Sequence, residues 1–367
     1  MAAYRATRDA QRTSVLSKYH IIGFLSSGTY GRVYMAQARN DEARCAIKKF
    51  KSDKVSNGTT YSGISQSAVR EIMLNRELHH VNIVYLRQVF LESKSIYMVF
   101  EYAEFDFLRI IHHHLTVLHT PLGLHMVKSL VWQLLNGVAY LHTNWVMHRD
   151  LKPANILVTY NGVVKIGDLG LARVYANPMV SLYSNDMVVV TIWYRAPELL
   201  LGARHYTTAI DMWAVGCIWG ELVALRPMFK GEEVRMENKS KGVPFQASQF
   251  SRIIDVLGTP TRDRWRNIDT MPEFPTWVSM RRSEPLPKSL YPWYTSRSHL
   301  TSGYELFDRL LQYDPEKRIS AADALENKWF YEEPLPSMNA FATLPSGGST
   351  YPRRRILPPE SDGTRRK

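Results

Sequence analysis

Apolar residues recur along this chain with two different periods. Between Tyr19 and Phe100 they come as short runs or alternate with polar ones. Tyr19–Tyr34 has the pattern of strands, Arg44-Cys45-Ala46-Ile47-Lys48 alternates so that Ala46 and Lys48 share one face, and Ile96–Phe100 is a buried strand. One helix interrupts them, opening at Ser65 or Ser67 as N-cap and carrying Arg70, Glu71 and, one turn later on the same face, Asn75. Further on, the period lengthens. Apolar residues at 127, 130, 131, 134, 135, 138 and 141 predict a core helix over Leu124–His142, and a second apolar helix covers Asp211–Leu225. Between the two, Ile156-Leu157-Val158 and Val163–Ile166 flank Asn161-Gly162, the signature of a tight hairpin. Residues 1–18 have no period and read as a disordered basic arm. Residues 334–367, with five prolines after Pro334 and a Ser-Gly-Gly-Ser run, read as a disordered, Pro-rich basic tail, and polar residues 231–248 as an inserted loop.

A chain of 367 residues can fill a large core split into two lobes. Its 45% hydrophobic and 22% charged residues are those of a globular protein. No apolar run approaches the ~18 residues of a membrane span, and no signal-peptide core is expected at the N-terminus. Cys45 and Cys217 lie far apart in apolar runs and are expected as buried thiols. Of the net charge of +12, seven units come from the two ends. Arg353-Arg354-Arg355 and Arg365-Arg366-Lys367 read equally as a nuclear-targeting or acidic-partner patch and as a solvated end. Binding of single-stranded nucleic acid would need aromatic residues among those charges, and only Tyr351 is there, so no direct nucleic-acid partner is expected. His112-His113-His114 lacks a second ligand cluster and reads as an exposed loop rather than a metal tract.

The hairpin carries the chemistry. It follows His148-Arg149-Asp150-Leu151-Lys152-Pro153-Ala154-Asn155 and ends at Asp168, so folding it sets Asn155 and Asp168 side by side with Asp150 near. Three oxygen-bearing side chains there can hold a hard cation such as Mg²⁺ and leave one free to take a proton. That combination points to phosphoryl transfer.

These residues also resemble a known family. His148–Asn155 is similar to the catalytic loop of protein kinases, Asp168-Leu169-Gly170 stands where they carry Asp-Phe-Gly, and Ala196-Pro197-Glu198 looks like the end of their activation segment. Lys152-Pro153 resembles the Ser/Thr branch. The helix at Ser65–Ile72 and the stretch Asp186–Leu201 resemble cyclin-dependent kinases, most of all those of the Mediator kinase module. The resemblance covers about residues 19–332. It implies an α+β, bilobal kinase fold: a β-rich N-lobe with one main helix over 19–100, a hinge at 101–104, and a mostly helical C-lobe over 105–333. It implies ATP and Mg²⁺ as cofactors, a C-type cyclin and other Mediator kinase-module subunits as partners, and nuclear Ser/Thr substrates including the RNA polymerase II C-terminal domain.

Carried over residue by residue, the resemblance sets Leu25, Gly28, Gly31 and Val33 around the phosphate loop, where Ser26 replaces the usual first glycine, and Ala46 and Leu157 around adenine. Phe100 would close the pocket's rear, Glu101 and Ala103 would form the hinge, and Asp106 would reach the ribose. Lys48 would hold the α/β-phosphates and pair with Glu71; Asn155 and Asp168 would hold the metal; Asp150 would be the base, assisted by Lys152; and Thr191 would tie the activation segment to both. Asp211, as N-cap or as brace, would support the catalytic loop, and Arg318 would pair with Glu198. Arg70, Arg149 and Arg173 match a cluster that clamps an activating phosphate, but the phosphorylated position is Asp186 here. Two other readings stay open: a mitogen-activated kinase, disfavoured by the absence of Thr-x-Tyr in the activation segment, and a catalytically weak scaffold, suggested by Asn75, Ser26 and Leu169.

Overall fold

The alternation of Arg44–Lys48 requires a sheet with two different faces, and a computed structural model of the chain has one. It describes residues 13–27, 31–50, 66–92, 95–175, 191–234, 244–281 and 284–358. Strands β1 (Tyr19–Ser27), β2 (Gly31–Ala38), β3 (Arg44–Phe50), β4 (Leu86–Glu92) and β5 (Ser95–Glu101) form an antiparallel sheet in the order β1-β2-β3-β5-β4. One face buries Ala36, Cys45, Ile47, Phe90 and Val99. Helix α1 (Val15–Lys18) covers that face with Val15, whose N–H donates to Glu92 Oε2 at 3.0 Å. Residues 13–18 are therefore folded against the sheet, contrary to the disordered arm expected there; residues 1–12 lie outside the described residues. The other face carries Ala46 and Lys48 beside Phe100 and Met98 and meets helix α2 (Gln66–Glu77).

After β5 the chain passes through β6 (Phe105–Asp106) and α3 (Phe107–His113) into α4 (Leu124–Thr143), where all seven positions of the predicted stripe are buried. Short strands β7 (Val146–Met147), β8 (Ile156–Val158), β9 (Val164–Ile166) and β10 (Arg173–Val174) follow, with Ile156 paired to Ile166 across the hairpin. Helices α5 (Pro197–Leu200) and α6 (Ala209–Ala224) come next, α6 being buried on nearly every side. The C-lobe is completed by α7 (Ala247–Leu257), α8 (Phe274–Met280), α9 (Leu290–Ser298), α10 (Tyr304–Leu310) and α11 (Ala321–Leu325). Cys45 and Cys217 are free and buried, as expected. No helix among the described residues is long and apolar enough to cross a membrane.

The tail is the main departure. Residues 334–358 pack along the folded body instead of trailing from it. Ala340, Phe341 and Tyr351 join the C-lobe core, with Phe341 and Tyr351 edge-on to Phe105 at 5.9 and 5.8 Å between ring centroids. Gly162 and Gly348 make the close passage possible. A Cβ on Gly162 would lie 2.6 Å from Ala340 N, and one on Gly348 2.2 Å from Tyr160 O. Tyr351 also explains why the histidine tract is not an exposed loop. His114 is buried, and its Nε2 is 2.9 Å from the Tyr351 hydroxyl. Because Phe341 fills a core position, Phe341→Ala is expected to lower unfolding free energy by about 3–5 kcal/mol in urea denaturation; a tail without packing would show no change.

Candidate active site

The catalytic loop owes its shape to one buried carboxylate. Asp211, in the first turn of α6, accepts the backbone N–H of His148 and of Arg149, each at 2.9 Å, and lies 3.0 Å from His142 Nε2. Burial alone would raise its pKa, but the hydrogen bond and charge of His142 and the loop N–H groups hold it below the usual value. Asp211 is thus a brace, and this anchoring supports Arg149 in a left-handed conformation, φ 69°. His148 continues the chain of contacts. Its Nδ1 accepts Asp150 N–H at 3.2 Å, so its Nε2 carries the proton and donates to Gly167 O at 2.9 Å, fastening the loop to the far end of the hairpin.

Asp150, Lys152 and Asn155 form one knot. Lys152 Nζ donates to Asp150 Oδ2 at 2.7 Å, and Asn155 Nδ2 donates to the same oxygen at 3.0 Å and to Asp150 O at 2.8 Å. Asn155 commits its amide hydrogens to Asp150, which leaves Oδ1 as its atom for a cation. Gly167 N–H donates to Asn155 O at 2.9 Å, so Asp168 follows directly from the same neighbourhood. Asp168 has φ 59°. It reaches across to the N-lobe, where Lys48 Nζ lies 2.9 Å from its Oδ1 and 2.7 Å from Glu71 Oε2.

That three-charge cluster ties the sheet, α2 and the hairpin together. Burial disfavours the Lys48 ammonium, but the two facing carboxylates outweigh it and raise its pKa. Burial raises the Glu71 pKa, Asp168 adds to the rise, and Lys48 offsets part of it. For Asp168, burial is outweighed by Lys48, and its pKa falls. The pairing places α2 inward. Asn75 is buried on that helix; its Nδ2 donates to Glu71 O at 2.7 Å while its Oδ1 has no partner. The polar side chain at this position is therefore only half satisfied.

Between the lobes lies a cavity of about 400 Å³. Leu25, Gly31, Val33, Ala46 and Lys48 form its roof, Phe100, Glu101 and Ala103 its hinge side, and Leu157, Asn155, Asp150 and Asp168 its floor. The Glu101 side chain turns away from it, accepting Tyr85 N–H at 2.8 Å and pairing with Lys165 at 2.8 Å. Apolar walls with a few convergent polar groups suit a planar base joined to an anionic chain. Among the described residues no cluster of three or more His, Cys, Asp or Glu side chains makes a metal cage by itself. Asp168 and Asn155 fit a cation that takes its remaining ligands from phosphate and water, as Mg²⁺ does.

Several expected positions differ. Asp106 does not line the cavity. Its Oδ1 caps α3 through Arg109 N–H at 2.9 Å, and its Oδ2 is held by Arg354 at 3.0 Å, so both oxygens already have partners. Thr191 is exposed, and its side chain bonds to neither Asp150 nor Lys152, which pair with each other. Arg70 and Arg149 reach the carbonyls of Gly170 and Leu171 at 3.1 and 3.3 Å, adjacent residues of one short turn just ahead of Arg173. Gly28 and Asp186 lie outside the described residues. Val84, Tyr102 and Arg354 line the cavity without having been singled out; Tyr102 was legible as part of the hinge, whereas nothing local marks Arg354. Arg318 forks onto both oxygens of Glu198 at 2.9 and 3.1 Å, as the resemblance implied. Just after Thr191, the Tyr194 hydroxyl donates to Glu221 Oε2 at 2.6 Å.

The sequence matches the protein kinase domain family over residues 19–330. It is 53% identical to the serine/threonine-protein kinase SSN3 of Yarrowia lipolytica, over 98% of this chain and 88% of that one. It is 48% identical to SSN3 of Mycosarcoma maydis, over 99% of this chain and 66% of that longer protein. Among solved structures it resembles the yeast RNA Pol II CTD kinase CTDK-1 complex, with a TM-score of 0.74, 32% identity, and coverage of 89% of this chain and 96% of that chain.

Two outcomes follow from the buried polar groups. Asn75→Leu removes the unsatisfied oxygen and is expected to raise stability by about 1 kcal/mol, read from thermal melting; a drop in melting temperature would contradict it. Burial pushes the Glu221 carboxyl up to about 7 against its ordinary 4.5, with Tyr194 offsetting part of the rise. An acid raised on folding contributes stability that is complete below its unfolded pKa and is lost as pH rises through its folded one. Melting temperature should therefore fall between about pH 4.5 and pH 7, and Glu221→Gln should flatten that slope.

Proposed function

The chain belongs to the protein kinase family, and from that premise we propose that it is a cyclin-dependent Ser/Thr kinase of the Mediator kinase module. In this reading it moves the γ-phosphoryl group of ATP to Ser or Thr of nuclear transcription proteins such as the RNA polymerase II C-terminal domain. The observation that carries the chemistry is the Lys48–Glu71–Asp168 cluster facing the Asp150–Lys152–Asn155 knot across one cavity. The 53% identity to a serine/threonine-protein kinase SSN3 supports the branch, and the likeness to a CTD kinase complex supports the substrate class.

Asp168 and Asn155 Oδ1 would hold Mg²⁺ on the floor of the cavity. A divalent cation there neutralises charge on the phosphates as transfer proceeds. Lys48, kept charged by its two carboxylates, would bind the phosphates from above. Asp150 has its Oδ2 committed to Lys152 and Asn155, which leaves Oδ1 to orient the substrate hydroxyl and take its proton. Lys152, beside it, would offset charge on the transferred group.

A C-type cyclin is the proposed partner, and the outer side of α2 supports this. Val69 and Met73 are exposed there, and Leu91 is exposed on β4, giving apolar surface that a partner could cover. The charge at Asp186 supports activation that does not depend on a phosphate at that position.

The test is phosphorylation of a C-terminal-domain repeat peptide by the full chain, with ATP and Mg²⁺, with and without a C-type cyclin. Turnover is expected with cyclin and little without it. Asp150→Ala should lower kcat by roughly 10³-fold while leaving ATP affinity nearly unchanged; retained turnover would refute the base assignment.

A further inference from the structure

Residues 351–357 leave the C-lobe, pass the hinge and end on the N-lobe. Tyr351 is the C-lobe anchor. It is buried against Phe105 and Phe341, and its hydroxyl bonds with His114. Leu357 is the N-lobe anchor. It pairs with Phe24 of β1 through two reciprocal hydrogen bonds, Phe24 N–H to Leu357 O at 2.8 Å and Leu357 N–H to Phe24 O at 3.0 Å. Gly23 gives this segment room. A Cβ there would meet Ile356 Cγ2 at 2.3 Å and Leu357 O at 2.4 Å, so any other residue would lift the segment off β1. Between the anchors Arg354 turns inward, whereas Arg353 and Arg355 face solvent. Its guanidinium pairs with Asp106 and lines the cavity, and its Nε is buried with no partner.

A segment lying on the surface by chance would not need a glycine cleared for it on another strand, nor turn an arginine inward onto a ligand cavity. We propose that residues 351–357 are a strap joining the two lobes across the ribose end of the nucleotide pocket, with Arg354 as a nucleotide-positioning residue, and that nucleotide leaves only when the strap lifts from β1. The inference rests on the reading of this cavity as a nucleotide site. With the strap down, Asp106 has no oxygen to spare, and the cationic Arg354 side chain that lines the cavity is the group left on that side to attract a ribose or phosphate oxygen. Two backbone hydrogen bonds at the N-lobe end are few enough to open and close repeatedly, which places the strap among the least stable contacts of the fold.

The experiment is stopped-flow release of a fluorescent methylanthraniloyl-ADP from the full chain. Arg354→Ala removes the inward side chain, Leu357→Pro removes the N–H that pairs with Phe24, and Gly23→Ala blocks the same contact from the opposite strand. Each should speed release about tenfold and raise KM for ATP, with melting temperature nearly unchanged, while Arg355→Ala should release like the parent. Release within about twofold of the parent in Arg354→Ala and Leu357→Pro, with binding intact, would overturn the strap and leave the site reading untouched. Faster release in Arg354→Ala alone would also overturn it, reducing the effect to one side chain. Failure of the parent to bind the analogue at all would remove the nucleotide site and the strap with it.

Discussion

The ammonium of Lys48 sits between two carboxylates from different parts of the fold, and the active arrangement exists only while it does. Glu71 comes from α2 and Asp168 from the end of the hairpin, so one cation registers three elements that share no backbone hydrogen bonds with each other. Buried charges of this kind are poor sources of stability, since desolvation cancels most of their attraction. Their value is positional. With Lys48 charged and Asp168 ionised, α2 has one favourable position, and the helix that carries Glu71 also carries the exposed Val69 and Met73 available to a partner. Half-satisfied Asn75 one turn further on works against that position.

A second set of charges holds the floor. Asp211 fastens His148 and Arg149, His148 fastens Gly167, and Arg318 locks Glu198 in the core beneath the activation segment. Each is a polar group paired with main-chain atoms, with a histidine ring or in a matched fork, so burial is compensated at every step. This leaves Asp150 with one oxygen tied down by Lys152 and Asn155 and the other directed by them. Chemistry at the site depends on that division of labour within a single carboxylate.

The C-terminal segment adds a link between these two halves. Lobes joined only at the hinge are free to open; beside the Lys48–Asp168 pair, Tyr351 and Leu357 give them a further connection, on the side where a nucleotide would enter or leave. The same basic run that resembles a nuclear-targeting patch supplies Arg354 to the cavity, so the two neighbouring arginines, not the whole triplet, remain as surface charge.

Local pattern determined much of this protein. The stripe of α4, the alternation that puts Ala46 and Lys48 on one face, and the Asn161-Gly162 hairpin with Asp168 at its end were all legible, because period and turn chemistry act between near neighbours in sequence. So was the convergence of Asn155 with Asp150, five residues apart. The pairing of Arg354 with Asp106 spans 248 positions, and the anchoring of the tail depends on lone aromatics, Phe341 and Tyr351, in a stretch whose composition resembles disorder. Gly23 and Gly162 carry no local mark that another segment lies on them. Only the tertiary structure decided those contacts, since clearance between distant segments is a property of the assembled surface and leaves no period in the chain.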